Sequence, residues 1–464
     1  MRKYLLFVLL MTSLALLLLP QSRPENLAST LQPSGGSGQL ISIEPLPDEG
    51  ELCETPATAP FNLIAALQQD TGRGQVRTAS SRNGRADVSE RPPIRVIHDK
   101  YPAFSAVSVD PVRNEVAVTD ENMFSIMVYD RLENTASGTA VSKPKRVITG
   151  RKTNIQFTCG VFMDPQTGEI YALNNDTQDK LVVFSHEAEG DVAPARMLQP
   201  PHAAFGIASD NDAGVFYLTI QHSHSVVVYR KGAAGNDDPI RLLQGNHTQM
   251  ANPHGIAIDT KNKLMFVSNQ GDSRTLLPPG NRPQETEDGN VEPAPAARKN
   301  WPTQRTENGS GHIEPSSITV YPLDAEGDTA PLRVIKGPKT LLDWPIGLAV
   351  DPDRQELYVA NDVGDSVLVF RTEDDGDAVP IRMIQGPRTG IKNPTGLFLD
   401  RMNNELWVAS FGKHSLTVFR PTADGDVAPM RTIRSAPADE PSLMISNPGA
   451  LAYDTKREQL LVAN

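Results

Sequence analysis

From residue 393 to residue 431 the sequence reads NPTGLFLDRMNNELWVASFGKHSLTVFRPTADGDVAPMR. Four short apolar runs stand in this stretch, each closed by turn residues. The first is Gly396-Leu397-Phe398-Leu399-Asp400, and the second is Glu405-Leu406-Trp407-Val408-Ala409-Ser410. The third, Leu416-Thr417-Val418-Phe419, alternates with period two. The fourth follows the turn Gly425-Asp426 and is marked by Pro429 and Arg431. β-Branched and aromatic residues in short runs, broken by Gly, Asn and Asp at intervals of about 8–12 residues, specify strands and not helices.

The pattern recurs along the chain. A strand-like run ends in Asp at positions 110, 164, 210, 259, 351, 400 and 454, so the steps are 54, 46, 49, 92, 49 and 54 residues. The long step carries an insertion, residues 276–313, rich in Pro, Glu, Asn, Gly and Arg and without a strand of this type. A second strand ends ten residues after each Asp, as in Leu357-Tyr358-Val359-Ala360-Asn361. Third strands are clear in six places: Ile126–Tyr129, Leu181–Phe184, Val226–Tyr229, Ile318–Tyr321, Val367–Phe370 and Leu416–Phe419. Pro-x-Arg marks the fourth at Arg196, Arg241, Arg333, Arg382 and Arg431, with Arg95 and Arg146 as further members.

Four short strands per repeat of about fifty residues is the signature of a propeller blade. The sequence resembles the YVTN and NHL-type β-propeller repeats, close to the lactonase-like propellers. The resemblance rests on Val-Ala-Asn at 359–361 and 462–464, Asp-Pro at 110–111, 164–165 and 351–352, and Asn-Pro-x-Gly at 252–255 and 393–396. It spans about 370 residues, implies the fold, and leaves function open, because this architecture hosts unrelated activities. The expected fold is all-β, a seven-bladed β-propeller occupying residues 91–464. A ring must close to remove its strand edges, so the strand at 93–97 is expected to complete the C-terminal blade, with 74–78 a candidate third strand. A six-bladed ring with a stray element is the alternative, and a chain that continues past Asn464 would also explain the gap.

Ahead of the repeats, Met1-Arg2-Lys3 precedes sixteen residues, 4–19, with only Thr12 and Ser13 polar. This is the pattern of a signal peptide or a short membrane anchor at 1–20. Export to a periplasmic or extracellular location is therefore expected, with any membrane contact made only through that segment. Residues 21–90, with Ser34-Gly35-Gly36-Ser37-Gly38, have the composition of a low-complexity spacer. The totals exclude further classes. Lys+Arg 44 against Asp+Glu 56 gives a net charge of −12 with no basic block, which is no footprint for nucleic acid. Two cysteines, Cys53 and Cys159, cannot build a disulfide framework, and whether they pair is open. A single closed ring is expected to be a monomer.

In a propeller the loops joining second to third and fourth to first strands share one face. On this face the reading places the second-strand ends, Asn269 and Asn361 among them. It also places there the first-strand openings Ser105, Cys159, Phe205, His254, Ile346 and Thr395, together with His202, His222, His224, His247, His414 and Trp344. The ligand-binding candidates are His222, His224, His254, Asn269, Asn361, His414 and Trp344. Asn at a strand end also has a plain reading as a turn cap, and the recurrent Gly-Asp-x-x-Pro-x-Arg reads as blade construction. His222 and His224, two apart in an extended turn, point the same way and with His254 form a conceivable three-histidine site for a divalent ion, Zn or Ca. No other cofactor is evident. Gluconolactonase-type propellers hold calcium through axial carboxylates and asparagines, which the first-strand openings lack here. No Ser-His-Asp arrangement or phosphate loop is visible. The leading expectation is an exported, non-enzymatic binding or scaffold module that meets a protein or polymer partner on its loop face. The alternative is a lactonase-like hydrolase or lyase with a divalent metal near the channel.

Overall fold

The computed structural model describes residues 99–175, 178–271, 298–302 and 314–443. It also describes three short strand pairs, at 275–276 with 306–307, 284–285 with 291–292, and 450–454 with 459–463. The chain divides at residue 92 into two units, and the first lies wholly outside the described residues. The signal or anchor at 1–20, the spacer at 21–90, Cys53, the strand expected at 93–97 and most of the insertion fall outside them too.

Six four-stranded antiparallel sheets follow one another at 104–149, 158–198, 204–244, 253–335, 345–385 and 394–434, each an up-and-down meander. These are six blades of a β-propeller, the alternative of the sequence reading. The seventh repeat is present as the two-stranded pair Ala450–Asp454 with Gln459–Ala463, outside the six blades. The expected seven-bladed ring, closed through an N-terminal strand, is thus corrected to six. The physical reason lies at the seam between blade six and blade one.

There the first strand Phe104–Asp110 packs directly against the first strand Pro394–Asp400. A Cβ on Gly396 would stand 2.8 Å from the Ala106 Cα, so no further strand fits between them. The same approach recurs at four more of the six junctions: Gly160, Gly206, Gly255 and Gly347 lie against the backbone of the next blade's first strand. That is why the sequence places Gly at the start of this strand in five blades. Outward from the axis, six apolar clusters each join one pair of neighbouring blades. The sixth unites Phe104, Val116, Val118 and Tyr129 of blade one with Trp407, Leu416 and Val418 of blade six.

The repeated motifs sew the blades together. The Gly of the Gly-Asp turn bridges the outer strand of the preceding blade, at Gly190 with Ile148, Gly327 with Leu243, Gly376 with Ile335 and Gly425 with Ile384. The following Asp accepts a backbone hydrogen bond from the turn after that blade's fourth strand, as Asp191 does from Lys152 (2.6 Å) and Asp426 from Arg388 (2.8 Å). The fourth-strand Arg forks onto the Glu opening the second strand: Arg146 onto Glu115, Arg196 onto Glu169 and Arg382 onto Glu356. Burial raises the Glu115 pKa, but Arg146 and Lys145 outweigh it and bring it down to about 2. At the closing seam the Gly-Asp turn is absent and the 131–142 loop replaces it. Thr135 and Ser142 donate to the carbonyls of Thr432 and Arg434, and Glu405 is shared by Arg131 and Arg431 at 2.9 Å each.

Three substitutions test this account. Glu405→Ala leaves two largely buried guanidinium groups without their carboxylate and should cost about 3 kcal/mol in chemical denaturation. Lys261→Ala, breaking the exposed pair with Asp353, should cost less than about 1 kcal/mol. Gly255→Ala drives a methyl group into the Ile346 carbonyl and should cost about 1–3 kcal/mol or more. Equal denaturation midpoints for Glu405→Ala and Lys261→Ala would remove the closing role of Glu405.

Candidate functional site

One ring of side chains is set by the residue just beyond each second strand: Glu121, Asn175, Gln221, Gln270, Asp362 and Phe411. In each blade its backbone N–H donates to the carbonyl of a residue at the entrance to the first strand. The acceptors are Ala103, Phe157, Ala203, Asn252, Trp344 and Asn393, at 2.7–3.2 Å. Five of the six members are polar. A second ring comes from the first strands. Each carries a register shift against its second strand at the point where it opens, around Ser105, Cys159, Phe205, His254, Ile346 and Thr395. A bulge there re-aims the side chain out of the sheet's alternation.

The two rings meet in an axial pocket of 270 Å³ on the face of the second-to-third and fourth-to-first loops. Its walls are Phe157, Phe205, Trp344, Ile346 and Phe411. Its polar groups are Glu121, Gln270, Asp362, His254, Ser105, Asn393 and Thr395. Trp344, in a left-handed conformation and half exposed, stands at this pocket. The channel around the axis is lined by the glycines and by apolar first-strand residues and offers only 70 Å³.

Charge in this region is unusually confined. Glu121 is buried, which pushes its pKa up; Asp120 and Asp362 add to the rise, a hydrogen bond with Ser105 opposes it, and the result is about 8. Asp362 is raised to about 6 by burial, with Asp365 and Asp343 adding and Asn393 and Lys392 opposing. Asp120 also rises to about 6 by burial, despite accepting from the N–H groups of Ala103, Asn122 and Met123 and from Ser125. Burial holds His254 neutral, with a pKa lowered to about 4. Its Nδ1 faces the Asn252 carbonyl at 3.0 Å and must carry the proton, so Nε2 accepts from the Gln221 amide, whose oxygen in turn accepts from Asn175.

No family model matches the chain, and no curated protein does. Among solved structures it is similar to hydrazine synthase from Kuenenia stuttgartiensis, at 14% identity and a TM-score of 0.44, over 72% of this chain and 100% of that one. A nidogen/laminin complex is similar at 14% identity and a TM-score of 0.38, over 59% of this chain and 78% of that one. At these values the propeller rests on the chain's own strand pairing.

The structure disperses the sequence-predicted residues. His254 and Trp344 reach the axial pocket. His222 is exposed beside His202, with ring centroids 5.1 Å apart, near enough to oppose protonation of His254. His224 turns away: its Nδ1 accepts from the Asn252 N–H (3.0 Å), and it lines a separate 410 Å³ cavity with Met250, Glu314 and Lys336. The three histidines of the metal expectation therefore do not share one cavity. Among the described residues no three His, Cys, Asp or Glu side chains are grouped to hold a metal ion. Asn269 accepts from the Ala251 N–H and donates to Thr319; Asn361 accepts from the Asp343 N–H and donates to the Leu341 carbonyl. Both thereby hold the loop entering their own blade. His414, fully buried, donates from Nδ1 to the Pro102 carbonyl (2.6 Å) and faces Asp99, fastening the incoming chain to blade six. His202 and His247 lie against Asp179 and Asp328. The described residues 298–302 of the insertion lie away from the pocket. Arg298 and Asn300 bind the 236–239 loop, a third-to-fourth connection on the face opposite the pocket.

Glu121, Gln270 and Asp362 were missed by sequence reasoning, although a polar residue after five of six second strands was the signal that pointed to them. Glu121 yields a pH test. Its folded pKa exceeds the ordinary 4.5, so the folded state binds more protons than the unfolded one between pH 4.5 and about 8, and stability falls as pH rises through that window. Glu121→Gln should flatten that fall, raising the melting temperature by several degrees at pH 8.5 and leaving it nearly unchanged at pH 4.5. Parallel curves for wild type and variant would contradict the assignment.

Proposed function

We propose that this protein is an exported β-propeller that works as a binding module and takes a small ligand, or a side chain of a protein or polymer partner, into the axial pocket. The observation that carries the reading is the conjunction at one opening of a half-exposed Trp344, the carboxyl groups of Glu121 and Asp362, and the Gln270 amide. Ligand sites are concave, largely apolar, and carry a few convergent polar groups with shifted pKa values. The pocket lies on the loop face where the partner was expected. The pocket face, and not residues 298–302 of the insertion, is the contact surface of this reading.

Export stays part of the proposal on the strength of residues 1–19. Among the described residues no helix is long and apolar enough to cross a membrane. The hydrolase alternative gains a different basis from the histidines first considered. A carboxyl that keeps its proton to about 8, beside one that ionises near 6, is an acid and base pair of the kind used in general acid–base catalysis.

A small-molecule fragment screen by ligand-observed NMR on the purified protein separates the possibilities. Under the binding reading, fragments bind wild type and lose at least tenfold in affinity with Trp344→Ala, while the melting temperature holds because Trp344 is half exposed. Fragments indifferent to Trp344→Ala would displace the site from the pocket. Turnover of a lactone panel that is lost in Glu121→Gln would decide for the enzyme.

A further inference from the structure

The axial pocket has an imbalance of charge that its walls do not resolve. Two carboxyl groups, Glu121 and Asp362, line it, and no Lys or Arg does. Asp362 is buried to 8% exposure, and its Oδ1 has no hydrogen-bond partner. Lys392, a cation that opposes its charge, is itself held by Asp365 at 2.6 Å. Asp120 beside Glu121, and Asp343 and Asp365 beside Asp362, add further negative charge around the pair. His254 is buried and neutral. An uncompensated buried acceptor of this kind is costly, and a ligand that supplies a positive charge recovers the cost.

The walls narrow the chemistry of that charge. Phe157, Phe205, Trp344 and Phe411 are four aromatic side chains around one 270 Å³ pocket, with Phe205 against the His254 ring at 4.5 Å between centroids. A small divalent ion prefers a full shell of oxygen ligands, and aromatic faces supply none. Aromatic faces attract an ammonium group, and cages of them recognise quaternary and alkylated ammonium ions.

We infer that the axial pocket binds an alkylammonium head group, cradled by Trp344 and the phenylalanines and countered by Asp362 and Glu121. This rests on the binding-module reading and names its ligand class. The head can belong to a free amine or to a lysine side chain of a partner, and the two share the same contacts.

The experiment is calorimetric titration of the full chain with four probes: choline, N-acetyl-lysine amide, the uncharged choline isostere 3,3-dimethylbutan-1-ol, and calcium chloride. The expected result is saturable binding of choline or acetyl-lysine amide and at least tenfold weaker binding of the isostere. Asp362→Asn and Trp344→Ala should each weaken the cation by tenfold or more with melting temperature maintained. Choline affinity should rise between pH 5 and pH 8.5 as the two carboxyl groups ionise. Binding by choline alone assigns a small-molecule ligand; binding by the lysine probe assigns a partner side chain. Equal affinity for the isostere overturns the ammonium inference and leaves the binding module standing. Silence of both cations overturns it as well, and the fragment screen then judges the broader reading separately. Calcium binding that excludes choline overturns it in favour of a metal.

Discussion

The molecule depends on how closely six first strands approach one another at the axis. A side chain larger than hydrogen, placed at Gly160, Gly206, Gly255, Gly347 or Gly396, would run into the neighbouring blade's backbone. With that spacing fixed, neighbouring sheets stand close enough to share six apolar clusters, and Ala106 of blade one meets Gly396 of blade six directly. Apolar burial between blades is non-directional; the glycine contact is what gives it a geometry and a number. The channel is consequently too narrow to hold more than 70 Å³, so useful space exists at its end and not along it.

That constraint generates the site. Each first strand must shift register as it leaves the axis, and the bulge turns Ser105, Phe205, His254, Ile346 and Thr395 toward the opening. Each second strand ends where its next residue is pinned to the incoming chain, which presents Glu121, Gln270 and Asp362 at the same level. The carboxyl groups are held away from water by the packing that closes the ring. Their raised pKa values are a consequence of architecture, and the scaffold carries a stability cost at neutral pH on their account.

Much of the blade was legible because each strand announces itself locally. Period-two runs such as Leu416–Phe419, the Gly-Asp turns and the Pro-x-Arg signals all act within one blade or on its immediate neighbour. The Gly-Asp motif even has its partner a fixed distance back in the chain, as Asp426 has Arg388. Ring size was less legible. First and second strands occur seven times in the sequence, but third strands only six times, and the third-strand count matches the blades. A pair of strands such as Ala450–Asp454 with Gln459–Ala463 satisfies the local pattern without joining a four-stranded sheet. The histidine cluster failed for a related reason. Two residues apart in sequence says nothing about a left-handed turn, and the φ of 48° at His224 sends its ring toward Asn252.

The sequence alone determined that this chain is a β-propeller of repeated four-strand blades with an acidic, turn-rich composition and an export-like N-terminus. Those features are local, written in periodicity, turn residues and hydropathy. Tertiary structure alone decided that six blades close the ring, because closure depends on whether Ala106 and Gly396 touch across 290 residues of chain. It also decided that Glu121 and Asp362 share an aromatic pocket, since they reach it from blades one and five, and only the curvature of the ring brings those blades together.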